Sequence, residues 1–465
     1  MTTSLPPATE PVKDGRDVSL NGRACTVHVL QPHRDGDLVL APMTGMSASE
    51  SGPTLPVVPL SADAGHTSGT ILAALRAKGG PFARVVNIQS LADDGKGLTT
   101  VALAETEPVD GAPPPGHAWL PIDTVALAAV PPVAAALRRR ALAVAAPVTS
   151  ASARWFQPGW LDDLDGWARS RLSAIGRTVT APPVVVHVGP IAAVVRFATT
   201  ARPAFLKASI PFFAREATIA AALSARTPSW VPEVVAADPA YGTLMEEMGG
   251  QILGEAPEDT WGIGLRRLAE LQLAWVGATG GLLAADAQDR PIAALVQLVA
   301  ELEPVHAQLA AAEPGLWPAW AAVADGLSQS CESLAASGLP VSLVHGDFHP
   351  WNVNVCDGQA RLFDWSDGAV SHPFTDLTCF LRRVESPTAR RKMADGYLGV
   401  WAMGYEMARV EQALEDALVV GALYQVATYL ALVPAMNQRD RWQFEGGPWR
   451  WLRFAIRPLE LDSRS

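Results

Sequence analysis

The hydrophobic pattern changes character along the chain, and the changes mark out its elements. Short apolar runs at Ala24–Leu30, Asp37–Ala41, Thr54–Pro59, Arg84–Leu91 and Leu98–Glu105 are separated by turn residues, which predicts strands. Between the third and fourth, Thr70–Gly79 places its apolar residues on one face and ends in glycine, which predicts a helix. Gly116–Asp123 leads into a second helical pattern, Val133–Ala145, followed by a small-residue linker, APVTSASA, at 146–153. Trp155, Trp160, Leu161, Leu164, Trp167, Ala168, Leu172 and Ile175 then recur at helical spacing. Pro183–Lys207 reads as three short strands and Phe213–Leu223 as a helix, while Tyr241–Gly250 is a strand ending in glycines. From Trp261 to Leu334, and again from Asp395 to Leu432, the pattern is helical and rich in alanine. Inside this helical half lie two short apolar runs, Val341–Val344 and Ala360–Phe363, the second entered through a Cys356-Asp357-Gly358-Gln359 turn.

Each of those two runs delivers a polar residue. The first ends in His345-Gly346-Asp347 and is followed by Asn352, and the second delivers Asp364. Phosphoryl transfer asks for such a set: a carboxylate to accept a hydroxyl proton, and an amide with a second carboxylate to hold Mg2+ on the nucleotide phosphates. Asp347 is the candidate base, and Asn352 and Asp364 are the candidate metal ligands.

His345-Gly346-Asp347-Phe348-His349-Pro350-Trp351-Asn352 resembles the H-G-D-x-x-x-x-N catalytic loop of the aminoglycoside phosphotransferase (APH) family of kinase-like small-molecule kinases. Phe363-Asp364-Trp365 is similar to the metal motif of that family, and His372–Leu377 to its G-x-P-x-x-D-L-A segment. The resemblance implies an α+β, bilobal kinase-like fold over residues 180–455, with a small β-rich lobe at 179–250 and a helical lobe at 251–465. It implies further that Lys207, alone in an apolar strand, reaches the nucleotide phosphates and pairs with Glu216. The segment Glu246–Met248 would then hold the adenine edge, so that Glu246 and Met248 join Lys207 and Glu216 in binding ATP or GTP. Leu268–Gln272 is similar to the family's L-A-x-L-H helix. Only Gly189 represents a glycine-rich phosphate loop. His345 is expected to hold the loop, and Asp376 to brace it or cap a helix. The acceptor implied is a small-molecule hydroxyl on an antibiotic, amino sugar or related metabolite. The rival reading is a pseudokinase or nucleotide-binding module without efficient transfer.

Ahead of these lobes stand a polar tail at 1–16, a domain at 17–148 and a connecting segment at 149–178. The order of elements in 17–148 resembles a Nudix fold, with Ala73–Gly80 where the Nudix box would fall. Ala74, Ala77 and Lys78 occupy positions where that box carries glutamates, so a non-catalytic accessory domain is expected.

Composition narrows the partners. Of 465 residues 49% are hydrophobic and 18% charged, enough for more than one buried core. An excess of 47 acidic over 36 basic residues, a net charge of −11, disfavours nucleic acid as a partner. The four cysteines have no C-x-x-C spacing, which suits a reducing cytoplasm. Met1–Arg16 lacks the apolar core of a signal peptide. Ala417–Val433 approaches membrane length, but Gln425, Thr428 and the tyrosines Tyr424 and Tyr429 interrupt it, so a buried helix is expected rather than a span.

Overall fold

A computed structural model describes residues 24–31, 38–42, 57–60, 68–77, 84–93, 97–105, 112–121, 153–156, 159–295, 297, 316–436, 444 and 446–462. The tail 1–16, the expected helix Val133–Ala145, nearly all of the linker, and Lys78 lie outside those residues. The chain divides into two compact units, Met1–Ile210 and Pro211–Ser465.

The first unit opens with β1 (Ala24–Leu30), β2 (Leu38–Pro42), β3 (Val57–Leu60), α1 (Ser68–Ala77), β4 (Arg84–Asp93), β5 (Gly97–Glu105) and β6 (His117–Pro121). One sheet has the order β3-β1-β5-β4, with β1 and β5 parallel, and β2 pairs with β6 apart from it. Val27 and Val29, two apart on β1, are fully buried, and α1 buries Ile71 and Leu75, four apart. The helical spacing from Trp155 onward is broken once. Trp155 sits in a 3-10 turn, Arg154–Phe156, and α2 (Trp160–Ala174) starts only after Gly159, whose φ of +80° is not helical. Leu161, Leu164, Ala168 and Leu172 then form its buried stripe. The three expected strands follow as the antiparallel meander β7 (Val184–Val188), β8 (Ala192–Phe197) and β9 (Ala204–Ser209). Ala204, Leu206 and Ala208 of β9 point into the core, so Lys207, opposite Val194 in register, is on the other face.

The second unit begins with α3 (Glu216–Arg226), the hairpin β10 (Val234–Asp238) and β11 (Gly242–Glu246), and the short β12 (Gln251–Ile252). Then come α4 (Gly262–Trp275), α5 (Thr279–Ala284), β13 (Gln288–Asp289) and α6 (Leu316–Ala335). β14 (Ser342–Val344), β15 (Val353–Cys356), β16 (Gln359–Leu362) and β17 (Ala369–Ser371) carry the motif region. The unit closes with α7 (Leu377–Leu381), α8 (Pro387–Trp401), α9 (Met407–Ala435) and α10 (Gly447–Ile456). Helix α8 starts where its sequence says it should, with Pro387 in the first turn and the Ser386 hydroxyl accepting the Ala389 N–H at 3.0 Å. Two small sheets, β12-β15-β16 and β13-β17-β14, sit among these helices.

Helix α9, 29 residues long, is apolar enough to cross a membrane by composition, with a mean hydropathy of 1.7 over its best window. Its polar side chains give it another role. Gln425 donates to the Gly346 carbonyl, and Thr428 receives a 2.7 Å hydrogen bond from Arg290. With 61% of that window buried inside the protein, α9 is the core helix that the sequence predicted.

Candidate active site

The site is built on a hairpin whose turn is written in two residues. Asp357 and Gly358 both take positive φ, 51° and 70°, the backbone of a type I′ turn, and Cys356 and Gln359 pair across it. That fixes the register Val353↔Leu362 and Val355↔Ala360, and the Phe363 N–H extends it to the Asn352 carbonyl at 3.0 Å. Asn352 and Asp364 are therefore delivered to the same end of the hairpin. Asp364 itself has φ 70°, a conformation that costs a non-glycine residue roughly 1–2 kcal/mol and is tolerated best by Asp and Asn.

The Asp347 loop closes against this end. The Asn352 amide donates to the Asp347 carbonyl at 2.8 Å, tying the loop's two polar residues together. Gly346 has φ +83°, and a Cβ there would lie 2.5 Å from the Asp367 carbonyl, so glycine is required twice over. Beneath the loop Phe348 is fully buried and stacked on Phe380 at 5.1 Å, and Phe374 packs edge-on against Tyr397 and Trp401.

Side chains from distant elements complete the loop's hydrogen bonds. The buried Asp376 carboxylate accepts from the His345 and Gly346 backbone N–H groups at 2.8 and 2.9 Å, so it braces the loop. Gln272 of α4 donates to the same carboxylate at 3.1 Å and to the Pro373 carbonyl at 3.0 Å, and its own carbonyl accepts from the Tyr397 hydroxyl. Gln425 of α9 caps the Gly346 carbonyl from the other side. His345 is held by its Nε2, which donates to the Phe363 carbonyl at 2.9 Å, leaving Nδ1 to accept from the Asp347 N–H at 3.4 Å. Burial pushes its imidazole down to about 4, so it is neutral at physiological pH and spans the two strands as a structural strut.

Four carboxylates gather here, those of Asp347, Asp364, Asp367 and Asp376. Burial alone would raise the Asp347 carboxyl, but the facing His349, with Nε2 3.5 Å from Oδ2, outweighs it and holds the acid at about 2. The Asp347 side chain is 48% exposed, which leaves it open to a substrate. Asp367 is pushed up to about 7 by burial and by the charges of Asp347 and Asp364, against the pull of Arg290 and Arg215. Asp376 is likewise raised to about 7, by burial, against its two backbone donors.

Asp347, Asn352 and Asp364 are thus brought together as the sequence required. Glu216, at the start of α3, is buried and joins them through the Ser366 hydroxyl, 2.9 Å from its carboxylate and 3.0 Å from Asp364. Glu246 ends β11 and the half-buried Met248 follows it. The chain then enters β12, where Gln251 pairs with Val355 of the same hairpin. Lys207 belongs to the first unit, half-buried on β9.

This geometry agrees with what the rest of the sequence shows. Residues 185–411 match the profile described as the phosphotransferase enzyme family, APH. That segment belongs to the APH phosphotransferase family. The family is the one that the catalytic-loop residues suggested, and it makes the chain an enzyme of the phosphotransferase kind with an alcohol acceptor. The APH match begins at residue 185 and so lends no support to the Nudix-like reading of 17–148. Among solved structures the chain is similar to a macrolide 2'-phosphotransferase type I, at 15% identity and a TM-score of 0.39 over 64% of this chain and 97% of that one. It is also similar to the GDP complex of aminoglycoside 2'-phosphotransferase-IIIa, at 13% and 0.45 over 64% and 98%. A Plasmodium vivax ethanolamine kinase matches at 12% and 0.43 over 60% and 81%. Comparison with curated proteins returned no significant match.

Proposed function

We propose that the protein is an ATP-dependent O-phosphotransferase that phosphorylates a hydroxyl of a small molecule, an antibiotic, amino sugar or related metabolite, with GTP as an alternative donor. The observation that supports this most is the closure of the Asp347 loop on Asn352, with Asp364 delivered by the same hairpin. Asp347 accepts the hydrogen bond of the acceptor hydroxyl. At about 2 its carboxyl is a weak base, which suits a loose transition state in which the acceptor is oriented first and loses its proton late. The neutral His345 takes no part in proton transfer, because both of its nitrogens are committed to the backbone. Lys207 and Glu216 are the proposed phosphate-binding pair, and Glu246–Met248 the adenine-binding segment.

The donor set suits a hard divalent cation. An amide and a carboxylate offer oxygen ligands, and a cation held there would relieve the repulsion that Asp364 exerts on Asp347 and Asp367. Among the described residues no three His, Cys, Asp or Glu side chains are grouped to hold a metal on their own. Asn352 and Asp364 would therefore share Mg2+ with the nucleotide phosphates, the arrangement this ion prefers. When bound, Mg2+ neutralises charge on the transferring phosphoryl group.

The sheet of residues 24–105 we read as an accessory element without hydrolase activity, since Ala74 and Ala77 of α1 offer no carboxylate. The full chain should show no Mg2+-dependent cleavage of nucleoside diphosphate derivatives. Screening ATP consumption against aminoglycosides, amino sugars and amino alcohols tests the main reading. Acceptor-dependent ADP release supports it, and the absence of release across the panel, with ATP still bound, would favour a nucleotide-binding module.

A further inference from the structure

The metal reading of Asp364, on which this inference rests, raises the question of what aims a carboxylate carried on a left-handed residue. Ser366 answers it. Its hydroxyl is 2.9 Å from Oε2 of Glu216 and 3.0 Å from Oδ1 of Asp364, and both Ser366 and Glu216 are buried, at 9% and 4% exposure. The hydroxyl has one proton and bridges both carboxylates, so the way it is shared between them links the aim of Asp364 to that of Glu216. A cation held by Asp364 would draw on the same carboxylate oxygen, and through the hydroxyl the change would reach Glu216.

A second observation ties the same turn to the same helix. Gly368 closes the turn through its N–H to the Trp365 carbonyl at 3.0 Å, and a Cβ on it would lie 3.2 Å from Ile219 of α3, one turn along from Glu216. The turn after Asp364 and the first turn of α3 are packed closely, so that a side chain on Gly368 would press its neighbours apart by a few tenths of an ångström. We propose that Ser366 is a positioning residue that couples cation binding at Asp364 to the placement of Glu216, so that the metal site and the start of α3 are set together.

The test is a Mg2+ titration of the thermal stabilisation that AMP-PNP gives to the full-length protein. Ser366→Ala should raise the midpoint Mg2+ concentration about tenfold, the scale of one charge-assisted hydrogen bond, and Ser366→Thr, which keeps the hydroxyl, should return it to within about twofold of wild type. In a Glu216→Gln background, Ser366→Ala should add little, because the two changes break one linkage. A purely structural serine would lower the melting temperature of the apo protein and leave the Mg2+ midpoint in place. An unchanged midpoint in Ser366→Ala, or an equal effect in the Glu216→Gln background, overturns the proposal while the phosphotransferase reading stands. A wild-type protein that Mg2+ and AMP-PNP fail to stabilise overturns both.

Discussion

Two short loops carry the glycines that the sequence singled out, and they are held in opposite ways. In the Asp347 loop Gly346 has its N–H and its carbonyl both taken by side chains, Asp376 and Gln425, from elements far along the chain. In the β7–β8 turn Gly189 uses backbone, its N–H reaching the Ala192 carbonyl at 2.8 Å, with one outside contact, the Trp155 indole at 2.8 Å on its carbonyl. Gly346 has a positive φ and no room for a Cβ, whereas at Gly189 the nearest atom to a Cβ would be His187 Nε2 at 3.4 Å. The Asp347 loop therefore needs its own residues, and the turn needs only its shape. That is why the first reads clearly as a motif and the second hardly reads at all.

Breaking the side-chain bracing should have the largest effect. Asp376→Ala orphans two buried N–H groups at about 1–3 kcal/mol each, so chemical denaturation should show a loss of roughly 2–6 kcal/mol. A loss below about 1 kcal/mol would mean that the loop holds itself. Gly346→Ala comes next. The left-handed φ costs roughly 1–2 kcal/mol, and the collision with the Asp367 carbonyl displaces Asp347, so turnover should fall along with the melting temperature. Gly189→Ala should change neither by much, and equal damage at both glycines would erase the contrast.

A smaller effect is expected from pH. The carboxyls of Asp367 and Asp376 are raised to about 7 from an ordinary value near 4, so the folded state holds protons that the unfolded chain releases. Their contribution to stability is full below about pH 4 and is lost as pH rises through 7. Asp367→Asn, which fixes the neutral form, should flatten part of the fall in apo melting temperature between pH 5 and 8. An unchanged slope would remove Asp367 from the set. Trp155→Phe, which leaves the buried Gly189 carbonyl without its indole donor, should cost about 1–3 kcal/mol.

The same contrast explains what could be read from the sequence. Asn352 and Asp364 were legible because they flank one local hairpin whose Asp-Gly turn fixes the register, and Asp347 because it lies five positions before Asn352. Their supports were not. Gln272, Gln425 and Ser366 act across 104, 79 and 150 positions, and nothing local marks such a pairing. Gln425 did leave a trace, since a polar residue in so apolar a run must find a partner, but the trace does not say which. The start of α2 was missed because helical spacing ran through Trp155 without regard to Gly159, whose backbone breaks it.

The account stands most directly on Asp347. Phosphorus-31 NMR of the full-length protein with ATP, Mg2+ and an acceptor from the panel should show a phosphate monoester growing as ATP declines. With Asp347→Ala the nucleotide should still stabilise the protein against heat, while ester formation slows by at least ~10²-fold. An Asp347→Ala protein that forms the ester at the wild-type rate would contradict the account.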